Sequence, residues 1–152
     1  MAVFCGAFAF GGARLAQGLE DRLAAIVGEA GSPVTTRSAS GVLVHAELGI
    51  WPDTAVRRDE RGTAVVAGDP VFCLDGEAIG PSAASIDAVA RIAFDGQPEE
   101  LQHAQGSYFA AALDTRADRL VLAVAKLAVR PIYVTVQAGV LYAASEIGRA
   151  HV

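Results

Sequence analysis

Two periodicities run through the chain. From Val3 to Phe10 the residues are apolar or glycine, which predicts a first strand ended by Gly11-Gly12. The stretch GLEDRLAAIVGEAG then sets Leu19, Leu23, Ile26 and Val27 on one helical face, with Gly31 as its stop. In SPVTTRSASGVLVHAELGI, Val34, Val42 and Val44 mark two extended pieces joined by a Ser/Gly loop. The charged run Arg57 to Gly62 reads as a solvated hairpin tip, and TAVVAGDPVFCLDGEAI as a strand broken at Gly68-Asp-Pro70. A second helix carries Ile86, Val89, Ala90 and Ala93 on one face, capped by a preceding serine and stopped at Gly96. The remainder is strand-rich: GSYFAAALD, RLVLAVAK, RPIYVTVQ and GVLYAASE read as consecutive antiparallel hairpins. So many apolar runs need cover on both faces of a sheet, and a layered α+β sandwich satisfies that need.

Composition narrows the picture. At 152 residues one domain with a substantial core is expected. The hydrophobic content of 53% is largely Ala and Val interrupted by charge, and no stretch approaches the length of a spanning helix. A signal peptide over residues 2–16 lacks a preceding Lys or Arg, so that segment is taken as structure and a cytoplasmic location is expected. A net charge of −5 with scattered basic residues argues against nucleic acid as a partner, and nothing calls for a membrane. Cys5 and Cys73 are read as two buried thiols, with a single disulfide in an oxidising compartment as the alternative.

The final third carries a family likeness. Gly106–Asp114, Arg119–Val134 and Gly139–Glu146 resemble, in order and spacing, the closing strands of the class II glutamine amidotransferase domain at the amino end of asparagine synthetases. There the pattern runs Gly-x-Phe-Ala-x-Ala-x-x-Asp, Arg-Asp-x-x-Gly-x-(Arg/Lys)-Pro-Leu-Tyr and Phe-Ala-Ser-Glu. The resemblance implies the four-layer α/β/β/α sandwich of N-terminal-nucleophile hydrolases, built from two mainly antiparallel sheets. Ala125 and Ala128 depart from the pattern, standing where an Asp and a Gly are usual.

The family's chemistry can be carried over position by position. An active glutaminase begins Met-Cys-Gly-Ile-x-Gly, and the exposed α-amino group of the cysteine serves as base for its own thiol. With Gly6 set on the last glycine of that pattern, Ala2 stands at the nucleophile position and Cys5 falls three residues late. Glu47, in Val44-His-Ala-Glu-Leu48, occupies the place of the arginine that clamps the glutamine carboxylate. Ala67-Gly68-Asp69 replaces Asn-Gly-Glu, so only the Gly68 backbone N–H remains of two oxyanion donors. The acidic residue that receives the substrate ammonium aligns near Ala83 or Ala84, with Asp87 about a turn away. Four substitutions point to a domain that no longer hydrolyses glutamine, as in the β-lactam synthetase and lasso-peptide cyclase branch of the superfamily. Proteolysis after Phe4 is the alternative: it exposes Cys5 as the nucleophile of a working glutaminase that supplies ammonia for asparagine synthesis.

The other candidates have plainer readings. His45 can be a base or metal ligand, but has no cluster at ligand spacing and reads as a packed or capping histidine. His103 reads as a surface residue of a polar helix-like stretch, Gly68-Asp69 and Asp75-Gly76 as turns, and Trp51-Pro52 as an anchored loop. Gly11-Gly12 lacks the spacing of a nucleotide fingerprint. No metal site is expected. Family members continue into an ATP-using synthetase domain, and no Ser-Gly-Gly-x-(Asp/Glu)-Ser loop occurs in this sequence. The resemblance therefore implies a fragment: residues 1–146 as the amidotransferase-like domain, a missing synthetase domain as its partner, and ATP and Mg as cofactors of that missing part alone. Ile147–Val152 can be back-translated as ATC GGA AGA GCA CAC GTC, a sequencing adapter read in frame, and is taken as a non-native tail. A homodimer and a stand-alone binding module are left open.

Overall fold

A computed structural model describes residues 2–47, 54–74, 77–79, 83–95, 97–126 and 130–146. The strands are β1 (Ala2–Ala9), β2 (Val34–Arg37), β3 (Gly41–Glu47), β4 (Thr54–Asp59), β5 (Gly62–Leu74), β6 (Glu77–Ile79), β7 (Gln105–Asp114), β8 (Arg119–Val124), β9 (Tyr133–Gln137) and β10 (Val140–Ala144). The helices are α1 (Leu19–Gly28), α2 (Ala83–Asp95) and a 3-10 segment at Pro98–His103. They build a mixed α+β fold with two antiparallel sheets. The first sheet runs β2-β3-β1-β10-β9, and the second β4-β5-β7-β8, with β6 paired to the far end of β5.

Strand parity sorts the core into three apolar layers. Odd positions of β1, namely Val3, Cys5, Ala7 and Ala9, pack with Val42, Val44 and Ala46 of β3 against Leu19, Leu23 and Val27 of α1. Phe4 points the other way and joins Leu43, Val65, Ala67, Phe109, Ala111, Leu113 and Ala143 between the two sheets. On the outer face of the second sheet, Ala64, Val66, Ala110 and Ala112 meet Val89, Ile92 and Ala93 of α2. The layers therefore run helix, sheet, sheet, helix. Alternating strand residues are buried on both sides, which is why β7 carries three consecutive alanines where two layers press on it.

α2 ends against side chains from the second sheet. Its last turn contains no basic residue, so its carbonyls need donors from elsewhere. Arg61, at the β4–β5 tip, donates to the Phe94 carbonyl and lies over the Phe94 ring, its Cζ 5.5 Å from the centroid; Arg119 donates to the Ala93 carbonyl. The same guanidinium groups face the buried Asp114, whose Oδ2 is 3.5 Å from Arg61 and 4.0 Å from Arg119. Asp114 Oδ1 accepts from the Arg116 and Ala117 N–H groups, each at 2.9 Å, and so shapes the β7–β8 turn. That turn is tied to the other sheet as well, where Asp118 accepts from the Ser40 N–H at 2.8 Å and the Ser40 hydroxyl at 2.6 Å. The Ser38 hydroxyl first, then the Ser40 hydroxyl and N–H, hold the Asp118 carboxyl below its usual range.

Three sequence expectations are corrected. β5 is not broken at Gly68-Asp-Pro70: it pairs continuously with β7 from Gly62 opposite Asp114 to Val71 opposite Gln105. Pro70 lies opposite Gly106 in the gap between two further pairings of β5, past Ala67, which faces the first residue of β4, and before Phe72, which faces the last residue of β6. The last four strands are not one run of hairpins either. β7–β8 belongs to the second sheet and β9–β10 to the first, so the chain crosses between sheets after β8. α1 also ends at Gly28, three residues before the expected glycine stop. Trp51-Pro52, Asp75-Gly76, the serine before α2 and the residues after Glu146 lie outside the described residues.

Candidate functional site

Two of the four positions aligned with glutamine chemistry meet at the start of β1. Ala2 lies directly opposite Glu47 in the β1–β3 register, and Phe4 opposite His45. Ala67 of β5 is fully buried in the inter-sheet layer that also holds Phe4, whose ring centroid is 5.5 Å from that of Phe109. The end of β10 locks this corner: Phe4 N–H donates to the Ser145 hydroxyl at 3.0 Å, and Ser145 N–H to the Phe4 carbonyl at 3.1 Å. Gly68 follows Ala67 with φ of 99°, and a Cβ there would come within 2.0 Å of the Ser107 carbonyl oxygen. Backbone packing alone thus demands glycine at position 68.

The fourth position lies elsewhere. Ala83 and Ala84 open α2, which covers the outer face of the second sheet. Asp87, a turn further on, is paired with Arg57 of β4. Beside it a hollow of about 330 Å³ is lined by Arg57, Asp59, Arg61, Asp87, Arg91 and Asp95, where Arg61 also pairs with Asp95 at 2.8 Å. Its charges are largely spent on one another.

Cys5 faces away from this corner, buried at 1% exposure among Val3, Ala7 and the α1 residues. His45 is a titratable group that the fold places in the layer between the sheets. It is 3% exposed, and its Nδ1 makes no hydrogen bond among the described residues. Burial, with the positive charge of Arg58 in second place, pushes its pKa below the ordinary histidine value, so the imidazole is neutral at neutral pH. Glu47, two residues on, is exposed. His103 is exposed beside Gln102. Among the described residues no group of three His, Cys, Asp or Glu side chains could hold a metal ion.

A packed His45 was one of the two sequence expectations, and the structure shows the ring buried, to a depth that the sequence did not give. In Val42-Leu-Val-His45 the alternation sets Leu43 and His45 on one face and Val42 and Val44 on the other. Because both faces are buried, that pattern does not reveal how deeply the histidine sits. No family model matches this chain, and no curated protein matches it either.

Proposed function

We propose that this chain is an amidotransferase-like domain of an asparagine-synthase-family amide ligase, of N-terminal-nucleophile-hydrolase architecture, in which glutamine hydrolysis has been lost. Its role is then to scaffold an ATP-dependent synthetase domain. The observation that carries the reading is the meeting of Ala2 with Glu47 in one register pair, with Ala67 buried in the inter-sheet layer that also holds Phe4. Two positions chosen by motif alignment alone are register partners, and each of the three aligned residues has a side chain unable to perform its aligned role. Alanine offers no nucleophile, a carboxylate repels the glutamine carboxylate, and a second alanine lacks the amide donor. The helix, sheet, sheet, helix order supports the same reading. The Cys5 alternative finds no such support, since its thiol lies on the α1 side of β1.

An electrophilic glutamine analogue, 6-diazo-5-oxo-norleucine, tests the assignment by intact mass. The wild-type chain is expected to take no adduct. A well-folded Ala2→Cys/Glu47→Arg/Ala67→Asn variant is expected to take one at position 2. An adduct on Cys5 of the wild type refutes the reading, and an unlabelled folded triple variant refutes the site alignment.

A further inference from the structure

β9 is the outer strand of the first sheet among the described residues, and four of its five residues are exposed. Val134 and Val136 are 51% and 57% exposed, two of the four large apolar side chains left open among the described residues. They stand opposite Ala143 and Leu141 of β10, which belong to or pack on the inter-sheet core, so the strand extends an apolar face into solvent. The strand Tyr-Val-Thr-Val-Gln contains neither the charge nor the proline with which sheet edges are usually blunted.

The hydrogen-bonding phase of that edge follows from the turn. Gln137 and Val140 flank a two-residue loop, Ala138 and Gly139, with φ of 50° and 77°, the type I′ geometry. The residues flanking such a loop form a hydrogen-bonded pair, and the pairs then alternate along an antiparallel ladder. Gln137, Thr135 and Tyr133 therefore turn their N–H and C=O groups toward β10, while Val136 and Val134 turn theirs outward. An antiparallel copy of the same strand centred on Thr135 sets Val134 opposite Val136 of the other copy, and the reverse. All four outward N–H and C=O groups of each strand are then matched. Shifting the centre to Val136 brings in the positive-φ turn, and shifting it to Val134 reaches toward Pro131, next to a residue that has no N–H to give.

We propose that β9 is a homodimerisation edge, on which a second copy of this chain pairs antiparallel about Thr135 to join two five-stranded sheets into one. The partner is assigned by self-complementarity: the edge matches its own donors, acceptors and valines in a single register, and its lack of charge leaves two copies free to approach. A strand about 17 Å long is small beside the roughly 800 Å² per partner of a standard stable interface, so the dimer exchanges rapidly and depends on concentration. This inference is independent of any glutamine chemistry.

Sedimentation velocity across a concentration series, with hydrogen exchange read at single amides, tests it. The expected result is a monomer–dimer equilibrium in which the Val134 and Val136 amides gain protection as concentration rises. V134K/V136K puts like charges opposite one another in both cross-strand pairs and should raise the dissociation constant about tenfold or more. V134E/V136K sets Glu against Lys in the stated register and should restore dimerisation in low salt. Circular dichroism checks that both variants, altered only at exposed positions, are folded. A chain that stays monomeric overturns the proposal, as does a dimer insensitive to V134K/V136K, a failure of V134E/V136K to restore pairing, or association only with foreign extended peptides.

Discussion

Replacing Asp114 by alanine is expected to cost the fold about 3 kcal/mol, and replacing it by asparagine only about 1. The difference follows from how the two carboxylate oxygens are used. Oδ1 receives two backbone N–H groups of the β7–β8 turn at 2.9 Å, whereas Oδ2 faces Arg61 and Arg119 at 3.5 and 4.0 Å. Both arginines are about a third exposed and donate to α2 carbonyls as well, so solvent screening leaves the ion pairs a small share. Alanine strands two turn donors; asparagine keeps an acceptor for them and loses only the charge. For a chain of this size each kcal/mol moves the melting temperature by about 2–4 °C. Thermal unfolding followed by circular dichroism should therefore fall by about 6–12 °C for Asp114→Ala and by a third of that for Asp114→Asn. Equal losses in the two variants would refute the reasoning, because the stabilisation would then reside in the arginine pairs.

Three further outcomes follow from the same packing. The folded state holds His45 below its ordinary pKa of 6.5, so it binds fewer protons than the unfolded chain; its contribution is intact above pH 6.5 and declines as pH falls toward the lower folded value. Melting temperatures recorded from pH 7.5 down to 5 should drop more steeply for the wild type than for His45→Leu, and parallel curves would contradict this. Thr36 and Thr63 share a buried hydroxyl hydrogen bond of 2.6 Å across the sheets. Either single valine variant should lose about 1 kcal/mol and the double variant much less than the sum, which a double-mutant cycle in urea will reveal. Gly68→Ala forces a Cβ against the Ser107 carbonyl and should cost about 3 kcal/mol or more by equilibrium unfolding; a neutral effect would contradict the positive-φ backbone.

Much of the fold was legible because local period and burial agree. Leu19, Leu23 and Val27 recur at helical spacing and are the residues that α1 buries. Val3 to Phe10 reads as a strand because both faces of β1 meet apolar layers. The readings failed where a long-range partner overrides a local signal. Gly68-Asp-Pro70 has turn chemistry, yet the β7 ladder carries β5 straight through it. β8 and β9 look like neighbours in a meander, but each is claimed by a different sheet. The candidate corner was legible as a set of aligned positions, and its assembly was not, because the pairing of Ala2 with Glu47 depends on a register that no short motif encodes. The depth of His45 was hidden for a related reason, since a strand buried on both faces gives polar positions no distinguishing period.

The central proposal is that Ala2, Glu47 and Ala67 stand at the aligned positions of a glutamine site and have lost its chemistry. The direct measurement is glutamate release from glutamine by the purified chain, coupled to an oxidative readout and compared with Cys5→Ala. The account predicts that neither protein exceeds the buffer blank. Sustained turnover by the wild type that disappears in Cys5→Ala would contradict it.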